Sequence, residues 1–352
     1  MFIPGAVGYM ALSGWVPLLA HLKGAVYGRV SVYDLSVIPL FMLMGAVAVQ
    51  GGLSKALFDF ANALLGRFRG GMAMAGVLAC AAFGSISGST VATTATIAQV
   101  AYPQMRRIGY SGRLATAALA TGGTMGVLLP PSVTLMVYAI LTEQNITKMF
   151  LAAYVPALIA AIGYIIAIMV MVRIHPEQAP AAQAISAAEV LKAAAKVWPI
   201  LAIFAVVFGG IYGGLFTATE GAAIGNVMTS AITLFRGELD RSKFVSAVRT
   251  TAQTSGMIFL IFIGADMINA ALALSQLPSQ LAELVGHLSI PPLLVLTGVM
   301  LFYVLLGCVM DEMSMILLTV PTLFPVIMGM DFFGLNVADK APPLAQFALG
   351  YD

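Results

Sequence analysis

Apolar runs that break off at glycine, serine, threonine and proline constrain this chain more than any other feature. Between Ala79 and Ser132 it reads ACAAFGSISGSTVATTATIAQVAYPQMRRIGYSGRLATAALATGGTMGVLLPPS. One apolar segment is interrupted at Gly84-Ser-Ile-Ser-Gly-Ser-Thr90. A second is interrupted at Gly122-Gly-Thr-Met-Gly126, with Pro130-Pro131 behind it. Backbone that leaves the helix inside a bilayer must find partners in protein or in a water-filled cavity. Interrupted hydrophobic segments therefore point to a substrate or ion site. Glycine and serine also let helices pack closely, so one interruption serves either purpose. Two in succession, each mixing glycine with hydroxyls, favour a site.

Composition settles the solvent. Of 352 residues, 60% are hydrophobic and 9% charged, against about 25% charged in soluble domains. The runs approach helix-spanning length and lack the alternation of a β-barrel. A formal charge of +2 argues against a nucleic-acid partner. Cys80 and Cys308 lie in apolar runs, give no disulfide or metal spacing, and read as packing residues. Met1-Phe-Ile-Pro lacks the basic start of a signal peptide, and the opening reads as though an earlier segment preceded it.

Charge gives the topology. Residues 1–34 read as a scaffold span followed by a connecting arm, and 35–52 span again. Residues 53–66 have the helical spacing of a short amphipathic helix. Arg67 and Arg69 precede the stretch 72–104, and Arg106, Arg107 and Arg113 follow it. Basic residues mark the cytoplasmic side, so this stretch enters the bilayer, turns at Gly84–Thr90 and returns to the same side. A broken crossing over 114–141 follows, then an outer turn at 142–145 and a return over 149–172. Residues 174–196 read as a cytoplasmic linker. Residues 197–214 go out, Thr217–Glu220 turns, and 221–235 return. Residues 236–250 read as an interfacial arm helix within a scaffold section spanning 142–250. A second transport half, 251–334, contains a span at 254–275, an amphipathic stretch at 278–288 and a hairpin at 291–330 interrupted at Gly307–Glu312. That hairpin has no Lys or Arg within it, as expected for entry from outside.

The halves repeat. Ile38–Leu65 resembles Met257–Val285, and Gly84–Thr90 corresponds in order to Gly307–Met313. The same order with opposite orientation is the pattern of inverted-topology repeats, which place substrate and coupling ion near the bilayer midplane. The expected fold is an all-α polytopic membrane protein with re-entrant hairpins and broken helices.

The first interruption offers Gly84, Ser85, Ser87, Gly88, Ser89, Thr90 and Thr93. The second offers Gly122, Gly123, Thr124, Pro130, Pro131 and Ser132. These neutral oxygens suit a hard cation. Without a carboxylate at the tip, Na⁺ fits better than Ca²⁺, with Ser87, Ser89 and Thr124 as candidate ligands. Individual hydroxyls can instead bond back to their own helix. Of the acids in or near membrane segments, Glu220 reads as a helix-terminal acid. Asp266 reads as an ion site or a helix–helix bond, and Asp311, beside Gly307, as an ion-site or tip-stabilising group. No organic cofactor is implied. An intramembrane hydrolase would need a membrane histidine, and His21, His175 and His287 fall in expected connections.

The run from Gly84 through Ile159, with IPLFMLMGAVAVQGGLSKALFDFANALLGRFRGG, GIYGGLFTATEGAAIG and DEMSMILLTVPTLFPVIMGMDFFG, resembles the large membrane subunit of tripartite ATP-independent periplasmic transporters of the dicarboxylate and sialic-acid type. The resemblance implies a Na⁺-coupled elevator in the bacterial inner membrane. It implies a small four-helix membrane subunit and a periplasmic substrate-binding protein delivering an organic acid as partners. It carries ion and substrate roles to Gly84–Thr90, Gly122–Ser132 and Gly307–Asp311. In the family a second broken helix with Thr-Pro-Pro follows, whereas residues 335–352 here read LNVADKAPPLAQFALGYD. The expectation is a truncated subunit, and the rival reading is a non-transporting remnant.

Overall fold

The computed structural model describes residues 2–180, 186–278, 280, 283, 291–328, 330–332 and 335–336. The regular elements among the described residues are helices apart from one two-residue β pairing, Asp331–Phe332 with Leu335–Asn336. Among the described residues, five helical stretches are long and apolar enough to cross a membrane: Tyr33–Gln50, Gly112–Leu141, Ile146–Ile174, Ala187–Tyr212 and Arg241–Leu274. The chain forms two compact units, one of Met1–Leu35, Val137–Asn145 and Thr254–Asp352, the other of Ser36–Met136 and Ile146–Gln253.

The larger unit is built around α5, Gly71–Ser87. All of α5 except Leu78 and Ala82 is buried. Its small residues allow helices to approach on every side, the usual means of packing where lipid removes the hydrophobic drive between helices. Around it stand α3 (Val37–Gln50), α4 (Leu53–Leu65), α6 (Thr90–Arg107), α7 (Gly112–Gly123), α8 (Met125–Leu128) and α10 (Ile146–Ile174). Helix α9, Val133–Leu141, completes the broken crossing. Helix α4 turns its apolar face inward, with Leu53, Leu57, Phe58 and Ala61 buried. Helix α11 (Ala187–Tyr212) packs on α4 and on α12 (Ala218–Phe235), and α12 lies along α3. There Asn226 donates to the Leu40 carbonyl at 2.6 Å.

The expected hairpin is present. Helices α5 and α6 have 17 and 18 residues, about 25–27 Å each at 1.5 Å per residue. They turn at Gly88-Ser89, and their open end carries Arg67, Arg69, Arg106 and Arg107.

In the smaller unit, α1 (Phe2–Ser13) and α2 (Trp15–Val30) meet at Gly14, whose φ of 89° breaks the expected first span. Helix α2 also absorbs most of the expected arm, so His21 sits in a helix, its ring stacked 5.2 Å from Tyr9. Helix α1 crosses α13 (Arg241–Leu274) closely: a Cβ on Gly5 would stand 2.5 Å from the Ile268 nitrogen. The second hairpin is α14 (Pro292–Gly307) and α15 (Glu312–Met328), joined by a Tyr303–Thr319 hydroxyl bond at 2.5 Å. The Asn269 amide donates to the Leu317 carbonyl at 3.1 Å.

Two further expectations are corrected. The linker 174–196 is a connection only in its first part, because Ser186 and Glu189 form a capping box that starts α11 at Ala187. The arm 236–250 and the span 254–275 are one continuous helix from Arg241 to Leu274. No proline interrupts this stretch, and Gly256 is accommodated inside the helix. The amphipathic stretch 278–288, His287 and the tail from 337 lie wholly or mostly outside the described residues.

Candidate functional site

The first tip is shaped by backbone constraints before any side chain acts. Gly88 ends α5 in the left-handed region at φ 60°, its N–H donating to the Gly84 carbonyl at 2.8 Å. Glycine adopts this conformation without the penalty a Cβ brings. Ser89 is extended and starts α6, its hydroxyl accepting from the Ala92 N–H at 3.4 Å.

The second interruption lies against this tip. Helix α7 ends at Gly123, the short α8 follows, and residues 129–132 leave the helix, with a cis peptide bond between Pro130 and Pro131. Proline removes an amide donor and blocks helix continuation. Ser132 restarts the helix by accepting from the Leu135 N–H at 3.2 Å. The two interruptions are joined by main chain, since the Val133 N–H donates to the Gly88 carbonyl at 3.4 Å.

Glycines set the closeness. A Cβ on Gly84 would stand 2.5 Å from the Gly126 Cα, and one on Gly126 would stand 2.7 Å from the Thr93 hydroxyl and 2.8 Å from the Ser89 carbonyl. A Cβ on Gly88 would stand 2.9 Å from the Pro131 carbonyl oxygen. Gly122 packs on Val77 and Cys80, and Gly123 on Thr94. From behind, α3 reaches the tip through Gly45, where a Cβ would stand 2.8 Å from the Ser87 Cα.

The oxygens divide into two groups. Ser87 and Thr93 share a hydroxyl–hydroxyl bond of 2.6 Å, and both are buried. The Ser89 carbonyl lies 3.5 Å from the Ser87 hydroxyl. The Gly88 and Pro131 carbonyls lie at the same joint, the first accepting from the Val133 N–H at 3.4 Å and the second 2.9 Å from where a Gly88 Cβ would stand, so the oxygens gathered at this centre are neutral. Ser85 instead bonds back to the Ala81 carbonyl at 3.0 Å, and Thr94 to Thr90 at 2.8 Å. Thr124 is exposed. Its hydroxyl donates to the Thr121 carbonyl at 2.7 Å and meets the Tyr164 hydroxyl on α10 at 3.1 Å. Thr90 opens α6.

The other candidates belong to the smaller unit. Gly307 ends α14 with open space where a Cβ would lie. The Asp311 carboxylate accepts from the Met313 N–H at 3.1 Å, so it stabilises the second tip. Cys308 is exposed there rather than packed, whereas Cys80 is buried. Among the described residues no group of three or more His, Cys, Asp or Glu side chains is placed to hold a metal ion.

Asp266 resolves toward a helix–helix bond, and its partner was not foreseen. Arg29 on α2 grips both its oxygens, one at 2.7 Å, and lies 5.7 Å from the centre of the Phe262 ring. Glu220 is a capping acid. It accepts from the Thr217 N–H at 2.8 Å and from its hydroxyl at 3.0 Å, and these bonds hold its carboxyl below the usual glutamate value. Gly45 and Tyr164 were also missed, and Gly126 fell within the interruption read at Gly122–Gly126 without being named as an individual candidate. Gly126 had a signal, as the last small residue of the Gly-Gly-Thr-Met-Gly run.

A chain of apolar helices, with a hairpin tip held against a proline-broken helix, defines a multi-pass membrane protein of the secondary-transporter class. Residues 1–337 match the family model described as tripartite ATP-independent periplasmic transporter, DctM component, and the chain belongs to that family. It is 34% identical over 309 residues to the C4-dicarboxylate TRAP transporter large permease protein DctM of Pseudomonas aeruginosa, covering 87% of this chain and 72% of that one. The Vibrio cholerae protein of the same name is 31% identical over 330 residues, at 87% and 72% coverage. The sialic acid TRAP transporter large permease protein SiaM of Vibrio cholerae is 28% identical over 301 residues, at 85% and 70%. The family is a transporter permease of the bacterial inner membrane and not an enzyme, which sets aside the hydrolase alternative.

Proposed function

We propose that this chain is the large membrane subunit of a Na⁺-coupled transporter that takes up an organic acid by an elevator movement. The observation that carries the reading is the neutral oxygen centre where the hairpin tip meets the proline break. Hydroxyls and carbonyls without a carboxylate suit a monovalent hard cation. Helix N-termini at Ser89 and Ser132 add a partial positive charge that favours an anionic group nearby. Relatives named for C4-dicarboxylate and sialic acid support a carboxylate substrate. A small four-helix membrane subunit and a periplasmic binding protein complete the proposed assembly. In it, residues 35–141 and 251–334 are the moving halves, with residues 1–34 and 142–250 as scaffold. The Gly307–Asp311 tip supplies the second half-site.

Reconstitution with both partners in proteoliposomes tests this. Radiolabelled succinate or sialic acid is expected to enter when an inward Na⁺ gradient is imposed and not when K⁺ replaces Na⁺. Uptake indifferent to Na⁺ would remove the coupling, and Ser87→Ala with unchanged Na⁺ dependence would remove Ser87 from the site.

A further inference from the structure

A cleft of about 650 Å³ opens between α7 and α10, within the larger unit and outside the oxygen centre. Its volume lies in the range of small-molecule sites, about 300–1,000 Å³. The two helices run antiparallel there, so Arg113 stands level with His175 at one end and Thr121 with Tyr164 at the other. Eight residues of α7 separate Arg113 from Thr121, about 12 Å of helix at 1.5 Å per residue. The wall between the ends is apolar: Leu114, Ala117, Ala118, Ile168 and Met171.

The mouth is basic and cytoplasmic. Arg113 is exposed and has no ion pair or side-chain hydrogen bond among the described residues. Arg69 joins it by donating to the Pro176 carbonyl at 2.9 Å, next to the lining residues His175 and Glu177. Glu177 is the one acid at the mouth, and it stands 3.4 Å from the His175 ring nitrogen. Arg106, Arg107 and Arg173 lie close in sequence to the same end, which the positive-inside rule assigns to the cytoplasm.

We propose that this cleft binds one anionic phospholipid of the cytoplasmic leaflet, its phosphate on Arg113 and Arg69 and one acyl chain along the wall toward Thr121. The polarity of the cleft runs the way such a lipid lies, charge at the cytoplasmic surface and hydrocarbon toward the midplane. Basic pockets between membrane helices on that side suit anionic headgroups. A small hydrophilic dianion has no use for 12 Å of apolar wall, so the site is separate from the proposed substrate centre.

The test uses the full chain in detergent, with dioleoyl phosphatidylglycerol and dioleoyl phosphatidylcholine titrated separately and binding read by native mass spectrometry. Phosphatidylglycerol is expected to bind more tightly. Arg113→Ala is expected to weaken it about fivefold, as about one basic contact at a membrane surface is worth. Arg249→Ala, an exposed basic residue on α13 that does not line the cleft, is expected to leave binding within twofold. Ala117→Trp, at an exposed lining position, is expected to abolish binding by filling the wall. A photo-reactive group on the acyl chain is expected to label peptides containing Ala117 or Met171. Equal binding of the two lipids, or full binding by Ala117→Trp, overturns the proposal. So does competition by inorganic phosphate or glycerol phosphate at concentrations matching the lipid, which would make the headgroup sufficient. Labelling of these peptides that succinate suppresses would assign the cleft to the transport route, and labelling that a co-expressed membrane subunit suppresses would assign it to that subunit.

Discussion

Gly84→Ala tests the closeness on which the candidate centre depends. The added Cβ would stand 2.5 Å from the Gly126 Cα and 3.0 Å from its nitrogen, both backbone atoms that cannot rotate away. Carbon atoms settle at about 3.5–4.0 Å, so the overlap is about 1 Å or more and the hairpin must shift by that much. Overpacking of a tight core costs about 1–3 kcal/mol. Replacing glycine by alanine inside a helix returns about 1 kcal/mol of propensity, which leaves a net loss of up to about 2 kcal/mol. Gly163→Ala on α10 is the matched control: nothing lies within 4 Å of its would-be Cβ, so only the gain of up to about 1 kcal/mol applies. Unfolding of both variants in detergent, followed by the fluorescence of Trp15 and Trp198, should separate them by about 1–3 kcal/mol, with Gly84→Ala the less stable. If Gly84→Ala is as stable as Gly163→Ala, the backbone contact between α5 and α8 is not the joint described, and the reasoning fails.

Thr93→Val keeps the shape but leaves the buried Ser87 hydroxyl without its 2.6 Å partner. A stability loss of about 1–3 kcal/mol is expected, read from the same unfolding curves, with weaker Na⁺ dependence of uptake. Arg29→Ala and Asp266→Ala should each destabilise the chain, and the double variant should lose less than the sum. A coupling energy below about 0.5 kcal/mol in that cycle would show the pair to be incidental. The Glu220 carboxyl is held below its usual value, so its capping contribution is present above the ordinary glutamate pKa of about 4.3 and is lost as pH falls through the depressed value. Protection of the amides of residues 217–222, taken relative to the intrinsic exchange rate at each pH, should fall with acidification over that range. In Thr217→Ala, exchange should already be fast at neutral pH.

The hairpin and the broken crossing were legible because their signals are local. Glycine, hydroxyls and proline cannot interrupt an apolar run unnoticed, and the arginines at 67, 69, 106 and 107 bracket the result. Arg29 and Asp266 were not legible as a pair. They lie 237 residues apart, and Arg29 stood in a stretch too mixed to read as a membrane helix. The join between the basic turns of α13 and its apolar turns was missed for a different reason. A change of composition looks like a boundary, yet helical hydrogen bonds need only the absence of a breaker. The Ser186–Glu189 capping box was readable and went unused. Which hydroxyls of the first tip face one another was beyond sequence reach, because Ser85 and Ser87 lie on opposite faces of the helix and the sequence does not say which face meets α6.

The meeting of Gly84 with Gly126 also has a mechanical side. Helices that touch through side chains have play between them, since rotamers yield before backbones move. Here main chain bears on main chain, and the Val133 amide is tied to the Gly88 carbonyl beyond it. Such a joint has almost no slack. A push on the hairpin arrives at the proline break undiminished, and the oxygens of both travel as one block. Whatever displaces the hairpin displaces the proline break with it, and the spacing between the two stays fixed.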